Sequence, residues 1–295
     1  MPSPSVILIT GCSTGIGRAT AIRLAAAGHI VYASARRLQD IDDLAALGCQ
    51  LLELDVTDEA SMNAAVDGVL DRHGRIDVLV NNAGYSLSGA VETLSMTDVR
   101  RQFETNVFGA VRMAQLVLPS MRRSGRGRVI NIGSMGGILT FPGGGAYHAT
   151  KYAMEAFSDA LRFEVRGFGI DVVLIQPGLI RSAFTTTAVA AVSQESGPYS
   201  TFNAAVARNT AQTYVAGPLA RLGGEPDAVA VAVERAVTAR TPRARMRVTP
   251  SARLLMVLRR ILTDRQWDRF VGSQYPQPTS GEAPSSKKAT SPRMP

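Results

Sequence analysis

The sequence predicts an α/β protein built on a doubly wound parallel sheet of about seven strands, with helices on both faces. Short apolar runs such as 6–9 and 170–175 have the continuous hydrophobicity of strands that are buried on both faces. Segments with helical spacing separate these runs, so that strand and helix alternate along the chain. Polar or glycine-rich residues follow the strand ends, which is where ligands bind in such sheets.

The predicted elements follow one another with short connections. Six strands are expected at 6–9, 30–34, 51–54, 77–80, 128–132 and 170–175, and a seventh near 246–248. Helical patterns begin at the glycine-rich turn after the first strand and continue to residue 27. Further helices are expected at 57–73, 97–123, 146–168, 225–240 and 253–262.

Residues 1–272 are predicted to form a single domain, because a chain of 295 residues with 45% hydrophobic content can bury one large core. Within it, residues 180–223 are rich in Ala, Thr and Ser and are expected to be a variable segment at the substrate site. Residues 250–272 are predicted to form an amphipathic C-terminal helix. Residues 273–295 have the composition of a disordered tail.

The charge is unevenly distributed. Residues 1–216 carry 18 basic and 18 acidic residues, whereas residues 217–295 carry 14 and 6, so the whole net charge of +8 is C-terminal. The main body therefore has no nucleic-acid-binding signature. The basic helix at 254–262 is expected to line the mouth of the pocket or to contact an anionic membrane surface peripherally. The alternative is that it packs on the core or on a partner subunit.

Cysteine, histidine and hydropathy exclude several classes of protein. Two cysteines and three scattered histidines provide no disulfide framework and no metal-ligand spacing, so no metal site is expected. No apolar run approaches the roughly 20 residues that a membrane helix needs. These features predict a soluble, cytoplasmic protein.

A glycine-rich turn follows the first strand and opens a helix. Gly11, Gly15 and Gly17 would let the backbone approach a pyrophosphate at the helix N-terminus. The spacing differs from the GxGxxG of other dinucleotide-binding proteins. The alternative is a turn that binds no ligand.

The end of the second strand indicates the choice of cofactor. An acidic residue there would favour NAD, but this chain has Arg36 and Arg37, whose guanidinium groups suit a 2′-phosphate. We therefore expect NADP rather than NAD. The alternative is that both arginines are simply solvated.

Two further strand ends carry residues suited to an adenosine group. Small residues at Ala83 and Gly84, beside Asn82, would let an adenine ring lie flat against the chain. Asp55 and Val56 end the third strand, where they could reach the adenine edge.

Tyr147 and Lys151 are four residues apart on a predicted helix, which places both side chains on one face. A nearby cation favours the phenolate and lowers the pKa of a tyrosine from about 10. Only three residues of the chain are lysine, and Lys151 is the one inside the predicted fold. The pair is therefore a candidate for proton transfer, although the spacing alone also occurs by chance.

Two more polar residues complete the candidate site. Ser134 follows the fifth strand, thirteen residues before Tyr147, and its hydroxyl could hold a substrate oxygen. Asn106 lies inside a long predicted helix, where asparagine is not favoured, and could hold a water molecule beside Lys151. Each could instead be purely structural.

Taken together, these motifs resemble the short-chain dehydrogenase/reductase family with its Rossmann fold. The resemblance covers residues 5–180 and rests on Thr10–Gly17, Asn81–Gly84, Asn106, Ser134, Tyr147-x3-Lys151 and Pro177-Gly178. It implies that Tyr147 is the general acid/base and that Lys151 lowers its pKa and binds the nicotinamide ribose. It also implies that Ser134 orients the substrate oxygen and that Asn106 holds a relay water.

The same resemblance implies which residues bind the cofactor. They are Gly11, Ser13, Gly15, Ile16 and Gly17 at the turn, Asp55, Val56 and Asn82 at the adenosine side, and Pro177, Gly178, Ile180 and Ser182 around the nicotinamide. The family forms dimers and tetramers through its long helices, here at about 97–123 and 146–168.

The expected reaction is reversible hydride transfer between NADP and an alcohol or carbonyl group. The arginine-rich C-terminal region is more loosely similar to the hydroxysteroid and retinol dehydrogenase-like branch, which would imply a bulky apolar substrate of the steroid, retinoid or fatty type. A dehydratase or epimerase on the same scaffold, or a cofactor-sensing binding protein, is the alternative.

Overall fold

The computed structural model describes residues 4–182, 192, 197–213 and 218–278. Seven parallel strands form one sheet in the order β3-β2-β1-β4-β5-β6-β7. The strands are β1 Val6–Ile9, β2 Ile30–Ala35, β3 Gln50–Glu53, β4 Val78–Asn81, β5 Gly127–Ile132, β6 Ile170–Gln176 and β7 Arg245–Arg247. The predicted fold class is therefore confirmed, and every strand lies within one residue of its expected bounds.

Helices cover both faces of the sheet. They are α1 Gly15–Ala26, α2 Glu59–His73, α3 Met96–Phe103, α4 Gly109–Ser124, α5 Gly145–Val165, α6 Ser200–Thr213, α7 Pro218–Arg221, α8 Pro226–Thr238, α9 Pro250–Ile261 and α10 Asp264–Gly272. Among the described helices, none is long and apolar enough to cross a membrane.

The alternation of side chains along β1 builds two cores. Ile7 and Ile9 point to the face covered by α1 and α8, whereas Val6 and Leu8 point to the face covered by α2, α4 and α5. All four side chains are fully buried. Because both faces of the strand are covered, its sequence is continuously apolar.

The strand order reverses beside β1. The chain builds β2 and β3 on one side of β1 and then crosses to build β4, β5, β6 and β7 on the other. In open α/β sheets, ligands bind in the crevice at the carboxyl ends of the strands where the order reverses. This topology places the candidate site at the ends of β1 and β4.

The long helix predicted at 97–123 is not one regular helix. A π-helical turn, Glu104–Phe108, separates α3 from α4. Such turns occur mostly as single insertions at functional sites. Here the turn contains Asn106, which is 3% exposed.

The single C-terminal helix predicted over 250–272 is wrong, because two helices occupy this range. Leu262 leaves the helical conformation, and Thr263 begins α10 with a capping box. The Thr263 backbone N–H donates to the Gln266 side chain at 2.9 Å, which satisfies a group that a helix start leaves open. The break turns α10 back so that the ring of Trp267 lies 6.0 Å from that of Phe141.

Two segment predictions fall partly on residues that are not described. The variable segment 180–223 includes α6 and α7, but 183–191, 193–196 and 214–217 lie outside the described residues. Of the predicted tail, 273–278 is described and 279–295 lies outside. Variability and disorder in these segments stay predictions.

Candidate active site

A cleft of about 1220 Å³ opens at the carboxyl ends of the strands. Its walls include the turn after β1, the ends of β2, β3 and β4, the segment after β5, the first turns of α5 and the segment after β6. The topology therefore brings most of the predicted site residues to one place.

The turn after β1 has a conformation that requires glycine. Gly11 and Gly15 have φ angles of +72° and +59°, a region that other residues rarely adopt. A Cβ atom on Gly17 would lie only 2.3 Å from the Gly11 carbonyl oxygen. The turn leads into α1, whose N-cap residue Thr14 makes no side-chain capping bond, so the helix start has the open N–H groups that bind anions.

Asn82 holds this turn in place. Its Nδ2 donates to the carbonyl oxygens of Thr10 and Gly11, each at 2.9 Å. The Thr10 hydroxyl oxygen in turn accepts from the backbone N–H groups of Asn82 and Ala83 at 3.0 Å. Asn82 thus links the ends of β1 and β4, while Ala83 and Gly84 line the cleft beside it.

Asp55 and Val56 form the cleft wall at the end of β3. Asp55 Oδ1 accepts from the N–H group of Thr57 at 2.9 Å and from its hydroxyl at 2.7 Å. The start of α4 passes close behind, because a Cβ atom on Gly109 would lie 2.4 Å from the Val56 carbonyl oxygen. This glycine lets helix and wall touch.

The two arginines after β2 have different surroundings. Arg36 lines the cleft. The Arg37 guanidinium binds Asp40 through two hydrogen bonds, at 3.1 and 2.9 Å, and is not part of the cleft lining. Of the pair predicted to contact a 2′-phosphate, the structure brings only Arg36 to the site.

Ser134 lies two residues beyond β5 and caps a short turn. Its hydroxyl oxygen accepts from the Gly136 N–H group at 3.0 Å. This bond uses only an acceptor lone pair of the hydroxyl, which has a separate O–H donor that can serve a group in the cleft.

Tyr147 and Lys151 lie on the first two turns of α5 and both line the cleft. The Lys151 ammonium is 5.8 Å from the centroid of the Tyr147 ring and donates to the Ile132 carbonyl oxygen at 2.8 Å. Lys151 is 8% exposed, and burial lowers its pKa from 10.5 to about 8. The ammonium thus lies beside the Tyr147 ring on the same face of α5, as the four-residue spacing predicts.

Asn106 lies behind the cleft and connects two of its walls. Its side chain accepts from the N–H group of Tyr85 at 3.0 Å and donates to the carbonyl oxygen of Tyr85 at 2.9 Å. It also donates to the Thr150 hydroxyl at 3.1 Å, and that hydroxyl donates to the Tyr147 carbonyl oxygen at 2.7 Å. The π-helical turn thus joins the segment after β4 to the helix that carries Tyr147 and Lys151.

The segment after β6 closes the cleft from the other side. The Pro177 carbonyl oxygen accepts from Met135 N–H at 2.8 Å. Gly178 is packed against α9, since a Cβ atom there would lie 2.3 Å from the Thr249 hydroxyl oxygen. Ile180 and Ser182 also line the cleft.

Three predicted site residues do not line the cleft: Gly17, Arg37 and Asn106. Gly17 and Asn106 support the residues in front of them, whereas Arg37 points to Asp40. All the other predicted residues line it, and these are Gly11, Ser13, Gly15, Ile16, Arg36, Asp55, Val56, Asn82, Ala83, Gly84, Ser134, Tyr147, Lys151, Pro177, Gly178, Ile180 and Ser182.

The individual residues of the apolar half of the cleft carry no motif in the sequence, although two of the segments that contain them were expected at the site. The lining of this half includes Leu87, Phe141, Val206, Leu219, Leu255 and Phe270. Leu87 follows the Asn-Ala-Gly motif and Phe141 precedes Tyr147, so position relative to those motifs could have indicated them. Val206 and Leu219 lie in the segment 180–223 that was expected at the substrate site, and Leu255 lies in the helix 254–262 that was expected to line the pocket mouth. Phe270, on α10, was not indicated.

Known proteins share this sequence pattern. A family model described as short chain dehydrogenase matches residues 5–193. The chain is 35% identical to the uncharacterized oxidoreductase YbbO of Escherichia coli over 266 residues, which cover 90% of this chain and 93% of that protein.

Two further relatives have named activities. The chain is 44% identical to 3-ketodihydrosphingosine reductase of Bacteroides thetaiotaomicron over 183 residues, or 62% of this chain and 66% of that protein. It is 41% identical to 17-beta-hydroxysteroid dehydrogenase type 1 of Homo sapiens over 192 residues, or 62% of this chain and 58% of that protein. Both matches span less than two thirds of the relative.

Solved structures share the fold. A short-chain dehydrogenase from Streptomyces avermitilis has a TM-score of 0.76 at 35% identity, covering 92% of this chain and 98% of that chain. The closed form of serine dehydrogenase complexed with NADP+ has a TM-score of 0.69 at 30% identity, covering 83% and 94%.

The buried ammonium of Lys151 predicts that its removal stabilises the protein without cofactor. The unfolded chain keeps the ordinary pKa, so folding carries the cost of a buried charge below about pH 8 and loses that cost as the pH rises to 10.5. At about 1.4 kcal/mol per unit of pKa, the buried charge lowers the free energy of unfolding by at most about 3 kcal/mol. Lys151→Met should raise the free energy of unfolding by about 1–2 kcal/mol at pH 7, and by less at pH 10, in urea titrations.

Lys151→Arg is the matched control, because arginine keeps its charge in the folded state. It should be no more stable than the original protein at either pH. A Lys151→Met protein that unfolds at lower urea than the original at pH 7 would contradict the expectation.

Proposed function

This chain is an oxidoreductase of the short-chain dehydrogenase family, and from that premise we propose that it uses NADP to interconvert a bulky apolar alcohol and its carbonyl compound. The observation that carries the proposal is the meeting of Ser134, Tyr147 and Lys151 in one cleft whose other half is apolar. The sequence places these residues far apart from the glycine-rich turn, and the fold brings them to the same cleft.

The cleft has the groups that NADP requires. The backbone at Gly11 and Gly15 and the start of α1 suit a pyrophosphate, and Arg36 suits a 2′-phosphate. The likeness to serine dehydrogenase complexed with NADP+ supports the same choice. When bound, NADP supplies or accepts the hydride.

We assign the proton chemistry to three side chains. Tyr147 donates a proton to the substrate oxygen during reduction and removes it during oxidation. The Lys151 ammonium, 5.8 Å from the ring centroid, favours the phenolate form through its charge and also binds the nicotinamide ribose. Ser134 donates its hydroxyl proton to the substrate oxygen and so orients it.

Asn106 has a supporting role in this proposal. Its side chain is bound to Tyr85 and Thr150, so it fixes the π-helical turn beside α5. A water molecule held at this turn would relay protons between Lys151 and solvent.

Exchange of Asn106 for alanine should therefore lower turnover more than it lowers cofactor affinity.

The apolar lining supports a bulky substrate. Leu219, Leu255 and Phe270 contribute apolar surface beyond Tyr147, and burial of apolar surface drives binding at about 25 cal/mol per Å². The relatives named as acting on ketodihydrosphingosine and hydroxysteroid also support a large apolar alcohol or ketone. A panel of sterols, retinoids, long-chain ketones and short-chain alcohols, followed by NADPH absorbance, tests this class.

The proton-transfer role is tested at Tyr147. Tyr147→Phe removes the hydroxyl that carries the proton, so kcat should fall by about 100-fold or more. NADPH binding, measured by fluorescence titration, should change little, because the ring remains. Tyr152→Phe on the same helix is the control, since Tyr152 is outside the cleft lining and should leave kcat unchanged.

Retention of most nicotinamide-linked turnover by Tyr147→Phe would show that another group transfers the proton. A chain that binds NADPH but turns over none of the panel would instead support the cofactor-sensing alternative. Product formation without net NADPH change would support a dehydratase or epimerase.

The choice of cofactor is tested at Arg36. Arg36→Gln removes a charge-assisted contact to the 2′-phosphate, so KM for NADP should rise about tenfold or more while KM for NAD stays the same. Arg37→Gln is the matched control, because Arg37 binds Asp40, and should have a smaller effect. Equal effects of both substitutions would refute the assignment of Arg36.

We also propose a homo-oligomer formed through the outer faces of α4 and α5. Phe157 and Phe163 on α5 and Phe108 beside α4 are exposed, with Phe163 86% exposed, and such apolar surface marks contact sites. In sedimentation velocity, Phe163→Glu should shift the protein toward monomer. A monomeric original protein at micromolar concentration would refute this interface.

The outer face of α9 is proposed to contact an anionic membrane peripherally. Its buried face packs on the core, as one alternative expected, yet Leu254, Val257 and Ile261 remain exposed beside Arg253 and Arg260. Apolar and basic residues on one helix face suit an anionic interface.

Within the cell, the proposed location is cytoplasmic, which fractionation tests.

Liposome flotation tests the membrane contact. The protein should float with vesicles that contain phosphatidylserine, less so with pure phosphatidylcholine, and the triple serine variant at Leu254, Val257 and Ile261 should float less. Phe163→Ser is the control for loss of an exposed apolar residue on another face. Equal flotation of all three proteins would exclude α9 as the contact.

A further inference from the structure

His148 follows Tyr147 on α5 and is buried, with 8% of its surface exposed. Both ring nitrogens have partners in the chain that surrounds the cleft. Nδ1 lies 3.0 Å from the Gly136 carbonyl oxygen, and Nε2 lies 3.3 Å from the Phe141 backbone nitrogen. The imidazole therefore spans from the turn after β5 to the segment before α5.

These two partners determine where the ring carries its proton. The Phe141 N–H group can only donate, so Nε2 must accept and be unprotonated. The Gly136 carbonyl oxygen can only accept, so the proton lies on Nδ1. A protonated ring would set two N–H groups against each other at Phe141.

The surrounding chain leaves room for this ring. A Cβ atom on Gly136 would lie 2.5 Å from Nδ1, and one on Gly144 would lie 2.6 Å from Cδ2. Glycine at both positions lets the backbone approach the imidazole from two sides.

The surroundings of the ring favour the neutral form. Burial lowers the pKa of His148. The segments 133–137 and 139–144 that face it have no ionisable side chain, and the ionisable residues within about one turn on its own helix are Tyr147, Lys151 and Tyr152. The Tyr147 ring lies edge-on at 5.6 Å and the Phe141 ring lies at 6.1 Å.

One more hydrogen bond connects this arrangement to the reaction. Gly136, whose carbonyl oxygen His148 holds, donates its N–H group to the Ser134 hydroxyl oxygen at 3.0 Å. The position of Gly136 therefore decides where the Ser134 hydroxyl points. Phe141, the other partner of His148, lines the apolar part of the cleft.

We propose that His148 is a positioning residue for the reaction: its neutral imidazole fixes the turn that directs Ser134 toward the substrate oxygen and ties that turn to the wall at Phe141. This inference rests on the proposed function for its kinetic consequence. The arrangement of the ring itself stands on the hydrogen bonds alone.

Three substitutions separate the two bonds of the ring. His148→Asn can still donate to the Gly136 carbonyl oxygen, His148→Gln can reach Phe141, and His148→Ala can do neither. Because misplacement of a reacting group by about 1 Å can cost about 100-fold, His148→Ala should lower kcat by about 10- to 100-fold. His148→Asn should recover more of kcat than His148→Gln, with NADPH affinity unchanged in all three.

The double substitution Ser134→Ala, His148→Ala tests whether the effect passes through Ser134. If His148 acts by positioning that hydroxyl, its removal should lower kcat by less than threefold once the hydroxyl is gone. His73→Gln is the control for loss of a histidine, because His73 binds Tyr32 on the sheet and is not part of the cleft lining. The proposal would be overturned if the double variant lost kcat by the product of the two single losses, or if His148→Ala kept the kcat of the original protein.

NMR of the ring nitrogens tests the arrangement without turnover. The chain has only three histidines, so the signal that His148→Ala removes identifies this ring. A neutral imidazole protonated on Nδ1 at pH 7 supports the proposal, and a charged ring or a proton on Nε2 overturns it. If the original protein turns over no alcohol or carbonyl compound, the proposed function fails, whereas the NMR result still decides the state of His148.

Discussion

The site depends on one buried ammonium group. Lys151 is held by the Ile132 carbonyl oxygen at the end of β5, beneath the Tyr147 ring. Burial lowers its pKa to about 8, so the fold keeps a cation where water would hold it more favourably. Such a position is stable only because the sheet and α5 are fixed by large apolar cores on both faces. The folded protein is therefore less stable because it holds this cation, which the proposed proton transfer would use.

Several polar residues of the candidate site bind segments of the chain to one another. Asn82 joins the glycine-rich turn to the end of β4, and Asn106 joins the segment after β4 to α5. The Asn82 amide uses its donor on the turn, whereas the buried Asn106 amide uses both its donor and its acceptor and so binds two other segments at once. The walls of the cleft are therefore connected to one another by the same residues that the motifs contain.

The sequence predicted the sheet and the nucleotide half of the cleft because these depend on local patterns. Continuous apolar runs mark strands buried on both faces, and glycine is needed where φ is positive, as at Gly11 and Gly15. It could not separate Arg36 from Arg37, because the direction of the Arg37 side chain depends on its ion pair with Asp40. It also missed the break at Thr263. The helix ends there because Thr263 and Gln266 form the hydrogen bonds of a capping box in place of those of a continued helix. Phe270 reaches the cleft only through that break.

The break at Thr263 has a consequence for the order in which the protein is made. The predicted cofactor contacts all precede residue 183, whereas Leu255 and Phe270 in the apolar wall belong to the last described helices. During synthesis on the ribosome, the residues predicted to bind a nucleotide are therefore complete about 90 residues before the last residue of the apolar wall. A nascent chain thus makes the polar half of its cleft first and the apolar half last.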